Sequence, residues 1–342
     1  MYQKALFIFR RDLRIHDNTA LLYALENAKE VVPVFIFTPE QIEHNPYRSD
    51  FCLQFMLDSL HDLEEDLKEH GGRLFYFYDT PEHAISKAID KLGIDLVVVN
   101  KDYTPYSIHR DKTIEKVCRE KKVVFKSFDD ILLQAPEKLL KANKEPYTVF
   151  TPYYKNGMKY EVDLPRVNRH KNYYKHTIDF AKDSSIFDKV LPQKKQTFKG
   201  GRKEALKILK RIQDFALYDK ERDFPFIEGT THLSAHLKFT TVSAREVYHC
   251  VKKSLGEGHG LIRSLYWRDF FSSIALHFPH VFKGAFQEKF DKIEWEDHKS
   301  YFKHWCEGTT GFPIVDAGMR ELNQTGYMHN RVRMIVASFL VK

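Results

Sequence analysis

Cysteine is scarce in this 342-residue sequence, which holds four: Cys52, Cys118, Cys250 and Cys306. They lie far apart and form no C-x-x-C pair, so neither a zinc site nor a disulfide framework is suggested, and reduced, buried thiols are expected. No apolar run approaches the length that spans a bilayer, so no membrane partner is expected. Met1-Tyr2-Gln3-Lys4 leads directly into a short apolar strand pattern, with no signal-peptide layout, and a cytoplasmic protein is expected. Glycine is absent where a dinucleotide would need it. The turn after the first strand pattern reads Arg10-Arg11-Asp12-Leu13-Arg14, with nothing that lets a backbone approach a pyrophosphate.

Charge is present in both signs but unevenly. Residues 1–135 carry 18 Lys and Arg against 23 Asp and Glu, and residues 136–342 carry 36 against 24, within a formal total of +7. Only the second part has the balance of a polyanion binder. For any single lysine a solvated surface position is the plainer reading, but the asymmetry between halves points to a partner.

The first 130 residues alternate β-rich runs with helical patterns. Strands are predicted over 5–9, 31–37, 74–78, 96–100 and 123–126, and Leu53, Met56, Leu57, Leu60, Leu63 and Leu67 mark an amphipathic helix that Gly71-Gly72 ends. Near-continuously apolar strands separated by helices imply an α/β, doubly wound parallel-sheet domain over 1–135. Asp17 or Asn18 is the expected N-cap of the helix after the first strand. Residues 136–198 show weak periodicity, as a long interdomain connection does. From Gly200 the pattern turns helical, giving an all-α second domain over 199–342.

The most informative stretch is Gly311 to Lys342, where polar groups interrupt an apolar helical pattern. Ile314, Val315, Met319 and Leu322 recur at helical spacing, as do Val332, Ile335, Val336 and Phe339. Between them, Asn330, Arg333 and Met334 share one helical face, three and four residues apart. Upstream, Gly229-Thr230-Thr231-His232-Leu233-Ser234 sets three hydroxyls before an expected helix start, either as ordinary caps or as an anion site.

The Gly311–Lys342 run resembles the flavin-binding helices of the DNA photolyase and cryptochrome family. Tyr218 to Leu237 resembles that family's tyrosine, arginine and Thr-Ser-x-Leu-Ser flavin segment, and Arg10-Arg11-Asp12-Leu13-Arg14 followed by His16-Asp17-Asn18 is similar to its opening. The resemblance implies an antenna domain, a linker and a helical FAD-binding domain that is C-terminally incomplete, since the family continues with further flavin contacts beyond the position of Lys342. It implies FAD as cofactor, with Tyr218, Thr230, Thr231, Leu233 and Ser234 around the diphosphate and Asn330 and Arg333 reaching the flavin. Arg333 would stabilise an anionic reduced flavin with its planar fork. The family's usual serine is Thr231 here, which keeps the hydroxyl.

The segment Leu261 to Arg268 is similar to the wall of the family's lesion pocket. Trp267 and Met334 match pocket residues, and Arg222, Arg268 and Arg331 match or neighbour positive residues on the DNA-facing surface. Three residues before Trp267, members that repair cyclobutane dimers carry a glutamate, and Ser264 stands here. A serine can donate a hydrogen bond but cannot span the same distance or supply a proton. Trp295 falls where the family keeps the outermost tryptophan of its electron relay. Asn100 to Tyr106 lacks the family's folate-binding Asn-Glu pair, so a deazaflavin, a folate, another flavin or no antenna all stay open.

The implied activity is light-driven repair of pyrimidine dimers in DNA by electron transfer from reduced FAD, a deoxyribodipyrimidine photo-lyase. It would be carried out by a monomer, with no metal, at a bacterial nucleoid or in a eukaryotic nucleus. Two alternatives stand beside it: a cryptochrome-like photoreceptor without repair activity, and a non-catalytic remnant.

Overall fold

The computed structural model describes residues 1–43, 45–190, 198–296 and 298–342. Its first part alternates strand and helix: β1 (Tyr2–Phe9), α1 (Thr19–Asn27), β2 (Ala28–Phe37), α2 (Pro39–Ile42), α3 (Asp50–Glu69), β3 (Phe75–Tyr78), α4 (Pro81–Leu92), β4 (Leu96–Asn100), α5 (Pro105–Glu120) and β5 (Val124–Phe128). The strands form one parallel sheet in the order β3-β2-β1-β4-β5. Side chains alternate across a strand, so β1 feeds two cores. Ala5, Phe7 and Phe9 pack with Leu21 of α1 and Leu60 and Leu63 of α3, while Leu6 and Ile8 pack on the other face with Ile85 and Ala88 of α4 and Ile114 of α5. Burial on both faces is why these strands read as unbroken apolar runs.

Local chemistry sets the element ends. Asn18 caps α1, accepting from the Leu21 amide at 3.1 Å. Asp17 instead adopts a left-handed backbone and turns toward the second part of the chain. Helix α3 starts at a Ser49 cap and stops before Gly71, whose φ of +75° an L side chain rarely adopts.

The region expected to be a loosely patterned connection carries structure of its own. It contains α6 (Phe150–Gly157) and α7 (Ile186–Val190), and an extended stretch hydrogen-bonded to the sheet through the Asn172 carbonyl and Tyr174 amide, both to Val31. Phe150 and Tyr153 of α6 belong to the core of the helical part, so this segment is half linker and half core.

The helical part comprises α8 (Arg202–Lys210), α9 (Tyr218–Glu221), α10 (Ser234–Lys238), α11 (Ala244–Leu255), α12 (Gly260–His277), α13 (Lys299–Glu307), α14 (Pro313–Thr325) and α15 (Asn330–Leu340). Ser243 and Glu246 form a reciprocal capping box at the start of α11. Helices α14 and α15 cross closely because Gly318 has no Cβ: one placed there would sit 2.4 Å from Val332 Cγ1. Val315, Met319, Met328, Val332 and Val336 fill this crossing, whereas Ile314, Ile335 and Phe339 of the same apolar pattern are exposed.

A buried ionic cluster joins the two parts. Arg14 bonds Asp130 at 2.6 Å, and Arg245 of α11 reaches Asp17 at 3.0 Å and Asp130 at 2.8 Å. Burial alone would raise the Asp130 carboxyl, but Arg14 and Arg245 hold it far below the usual carboxylate range. Of the cysteines only Cys118 is buried; Cys250 and Cys306 are half-buried and Cys52 is exposed, which corrects the expectation of four sequestered thiols. Among the described residues no helix is long and apolar enough to cross a membrane.

Candidate functional site

Four pieces of the helical part converge: the Gly229–Ser234 segment, α9, the first turns of α12 and the α14–α15 turn. Helix α9 is tied to α12 twice, by the Gly260 amide donating to Asp219 at 3.0 Å and by the Tyr218 and Ser264 hydroxyls at 3.0 Å. Arg331, in the first turn of α15, pairs with Asp223 just past α9. The Tyr327 ring lies 4.6 Å from His232. His232 has a left-handed backbone, uncommon for a residue with a Cβ and concentrated at functional turns.

The expected cofactor residues occupy this junction. Tyr218, Thr230 and Thr231 are half-buried, Leu233 is buried, and Ser234 is exposed as the first residue of α10. That helix has only five residues, so the anion affinity expected of a helix N-terminus has to come from the hydroxyls instead. Asn330 and Arg333 lie on the exposed side of α15. The sequence suggested that Arg333 sits inside an apolar helix; the structure turns it outward, and it makes no ion pair with any described residue.

The donor set fits FAD. Among the described residues, eight buried side-chain nitrogen or oxygen atoms lack a hydrogen-bond partner, and four of them border this junction: His232 Nδ1, His259 Nε2, His329 Nε2 and Arg222 Nε, the last facing Asp219 at 3.9 Å. Leaving a buried polar atom unpaired costs about 1–3 kcal/mol, so such a concentration marks a place where hydrogen bonding is completed from outside. The hydroxyls, an amide and a free guanidinium supply what a diphosphate and an isoalloxazine ring require.

The expected DNA-facing residues separate into two groups. Arg222 is half-buried, with its guanidinium 5.5 Å from the Tyr218 ring. Arg331 is half-buried, and Met334 is exposed with its sulfur 3.7 Å from the Arg331 guanidinium. Arg268 is turned inward, bonding Asp269 at 3.2 Å and the Leu237 carbonyl at 3.2 Å. The phosphate contact expected of it is therefore not one this side chain is placed to make. Its partner explains why: Asp269 is fully buried, and desolvation pushes its carboxyl up to about 7 despite Arg268 and the Leu133 amide.

Trp267 is 40% exposed and lies face to face with Phe150 of α6, ring centroids 3.6 Å apart and planes 7° from parallel. Ser264 is two-way bonded, donating to the Gly260 carbonyl at 3.1 Å and accepting from Tyr218. Trp295 is exposed, between a short turn and α13. Sequence reasoning missed Trp305, whose indole donates to the Val336 carbonyl at 3.1 Å, and the Tyr327–His232 contact. The density of aromatics in the 147–154 stretch was the available signal for Phe150. Among the described residues no cluster of His, Cys, Asp or Glu is placed to hold a metal ion.

The family model described as DNA photolyase matches residues 5–168, and that described as the FAD binding domain of DNA photolyase matches residues 261–342. The deoxyribodipyrimidine photo-lyase of Alkalihalophilus pseudofirmus is 32% identical over 98% of this chain and 72% of its own length. The crystal structure of the archaeal photolyase from Sulfolobus tokodaii, which holds two FAD molecules, is 40% identical with a TM-score of 0.90, covering 99% of this chain and 76% of that one. A cryptochrome from Synechocystis is 25% identical with a TM-score of 0.89, covering 99% and 75%. With both parts of the chain matched, and the residues of its helical junction suited to a flavin, the chain belongs to the DNA photolyase family.

Proposed function

We propose that this protein is a light-driven deoxyribodipyrimidine photo-lyase that uses FAD to split pyrimidine dimers in DNA. The observation that carries the reading is the gathering of polar groups around one junction at the head of the helix that carries Trp267: Ser234, Asn330, Arg333, the unpaired histidine nitrogens, and Thr231, whose oxygen takes only the Leu233 amide at 3.4 Å. When bound, the reduced flavin supplies the photoexcited electron that opens the dimer. The chain's own residues bind and orient. Thr230, Thr231 and Ser234 with Tyr218 hold the diphosphate, Leu233 packs beneath them, and Asn330 and Arg333 face the flavin ring. Trp267 and Met334 line the lesion cavity, Arg222 and Arg331 engage phosphate, Arg268 braces the cavity wall from within, and Trp295 is the outer station for electron entry.

Ser264 bears on the choice between repair and sensing. A hydroxyl has one proton to give, and here it goes to the Gly260 carbonyl while a lone pair takes the Tyr218 proton. The pocket therefore has no carboxylic acid at this position, a feature that favours as a second reading a cryptochrome-like photoreceptor. Loss of dimers from ultraviolet-irradiated DNA, counted in light and in darkness, separates the two. Repair requires loss in light alone; a yellow protein with equal counts supports the photoreceptor, and a protein that takes up no FAD leaves only the remnant.

We assign residues 1–135 to an antenna domain, 136–198 to the linker and 199–342 to the flavin domain. Strand order reverses between β1 and β4, and in such sheets ligands bind outside the carboxyl ends of the strands. The crevice there, lined by Arg10, Arg11, Asp12, Asn100, Lys101 and Asp102, is narrow and its arginines are already paired, Arg10 with Asp111 and Arg11 with Asp102, so it takes no chromophore in this form. The protein is expected to act as a monomer on chromosomal DNA, in the nucleoid or the nucleus.

A further inference from the structure

Helix α12 presents Arg263, Trp267 and Phe271 on its exposed side at successive four-residue intervals, a stripe about 12 Å long at 1.5 Å per residue. Single exposed aromatics need no explanation, but here two adjoin. Phe271 is 62% exposed and its ring lies 5.6 Å from Trp267, 24° from parallel. Trp267 is backed by further rings, and Phe271 rests against Trp267 and Phe270. Phe150, 9% exposed, covers one face of Trp267 and is itself followed by Tyr154 at 5.7 Å and 14°. The Arg263 guanidinium lies 5.9 Å from the Tyr154 ring, so the positive end of the stripe is fixed to the same ladder. Near-parallel exposed rings, backed by further rings and ended by a cation, are the elements with which proteins hold unpaired nucleic-acid strands.

We propose that the Arg263–Trp267–Phe271 stripe is a stacking track for unpaired DNA, in which Phe271 takes a base neighbouring the one on Trp267 and Arg263 neutralises a phosphate. The proposal rests on the photo-lyase reading and extends it to two residues. An anionic strand suits both this end of the chain, with its excess of Lys and Arg, and the π-faces that any base can use. An extruded base leaves its neighbours partly unstacked, and Phe271 replaces the lost contact.

The test is equilibrium binding of the flavin-loaded protein to a fluorescent, ultraviolet-irradiated single-stranded oligothymidylate, with melting temperature and flavin absorbance recorded alongside. F271A is expected to weaken binding roughly 5- to 100-fold, in line with the loss of one stacked base. F271Y, which keeps a ring, is expected within about twofold of the native protein, and R263Q is expected to lower the salt dependence by about one phosphate contact. Native affinity in F271A overturns the proposal, as does weakening that F271Y shares or that accompanies a lowered melting temperature. W267A separates the two levels. If it weakens binding while F271A does not, the track fails alone; if neither does, the lesion cavity has been misplaced and the photo-lyase reading of this surface fails with it. An F271A effect on self-association instead of DNA binding would make the stripe a contact between copies and also overturns the proposal.

Discussion

Replacing Arg245 with methionine should loosen the junction between the two parts of the molecule. Its guanidinium donates to Asp17 at 3.0 Å, to Asp130 Oδ1 at 2.8 Å and to the backbone carbonyls of Asp17 and Asp130 at 2.9 and 3.2 Å. Both carboxylates are buried, so removing one cation leaves Asp130 with Arg14 and Thr19, and Asp17 with Ser243 and the Arg166 amide. Breaking a buried pair from one side typically costs about 3–5 kcal/mol, because the remaining charge stays desolvated. Methionine fills much the same volume, so the loss reports charge and hydrogen bonding more than packing. The sign with pH follows from Asp130, whose carboxyl is held low. Its contribution is present above the ordinary carboxylate value of about 3.9 and is lost as pH falls below it. The gap between native and R245M proteins should therefore be largest near neutrality and shrink in acid. Urea unfolding of native, R245M, D130N and R245M/D130N proteins at several pH values measures this, with the double variant losing less than the two single losses combined. A change under about 0.5 kcal/mol in R245M, or strictly additive losses, would refute the view that this cluster holds the parts together.

Three further outcomes are expected. Burial pushes the His236 imidazole down to about 4, so the fold favours its neutral form; that stability is present above about pH 6.5 and is lost as pH falls toward 4, and H236Q should flatten the acid limb of a stability profile by roughly 3 kcal/mol at most. The double substitution Thr231→Ala and Ser234→Ala should reduce FAD affinity roughly 5- to 100-fold by equilibrium titration while leaving riboflavin binding alone, since only FAD carries the diphosphate. Arg331 and Asp223 form an exposed pair that water and salt screen, so R331Q should barely move the melting temperature yet lower the salt dependence of DNA binding by about one contact.

Where helical and strand periodicity were strong, the sequence alone sufficed. The strand starts at 96, the Asn18 cap and the Gly71 stop were all legible, because each depends on residues close in sequence. Helix α6 was not, since its stretch of Pro, Tyr and Asn has little helical preference and is held by burial of Phe150 and Tyr153 against α12. The arginines behaved differently again. Arg268 and Arg331 look alike in sequence, but Arg268 sits one residue before a buried aspartate and is drawn inward, while Arg331 opens a helix and pairs at the surface. Ile335 and Phe339 belonged to the expected apolar face of α15, yet the close crossing at Gly318 admits only Val332 and Val336.

The sequence by itself determined the doubly wound sheet, the change to helices after Gly200, the separation of charge between the two parts and the residue types able to hold a flavin, all properties of composition and local period. Tertiary structure alone decided which side chains share a surface. It set Phe150 behind Trp267, turned Arg268 away from solvent, and brought Asp17 and Asp130 to Arg245 across more than a hundred residues. Helical period fixes the angle between neighbours on one helix, but only a partner packed against that helix selects which face becomes core.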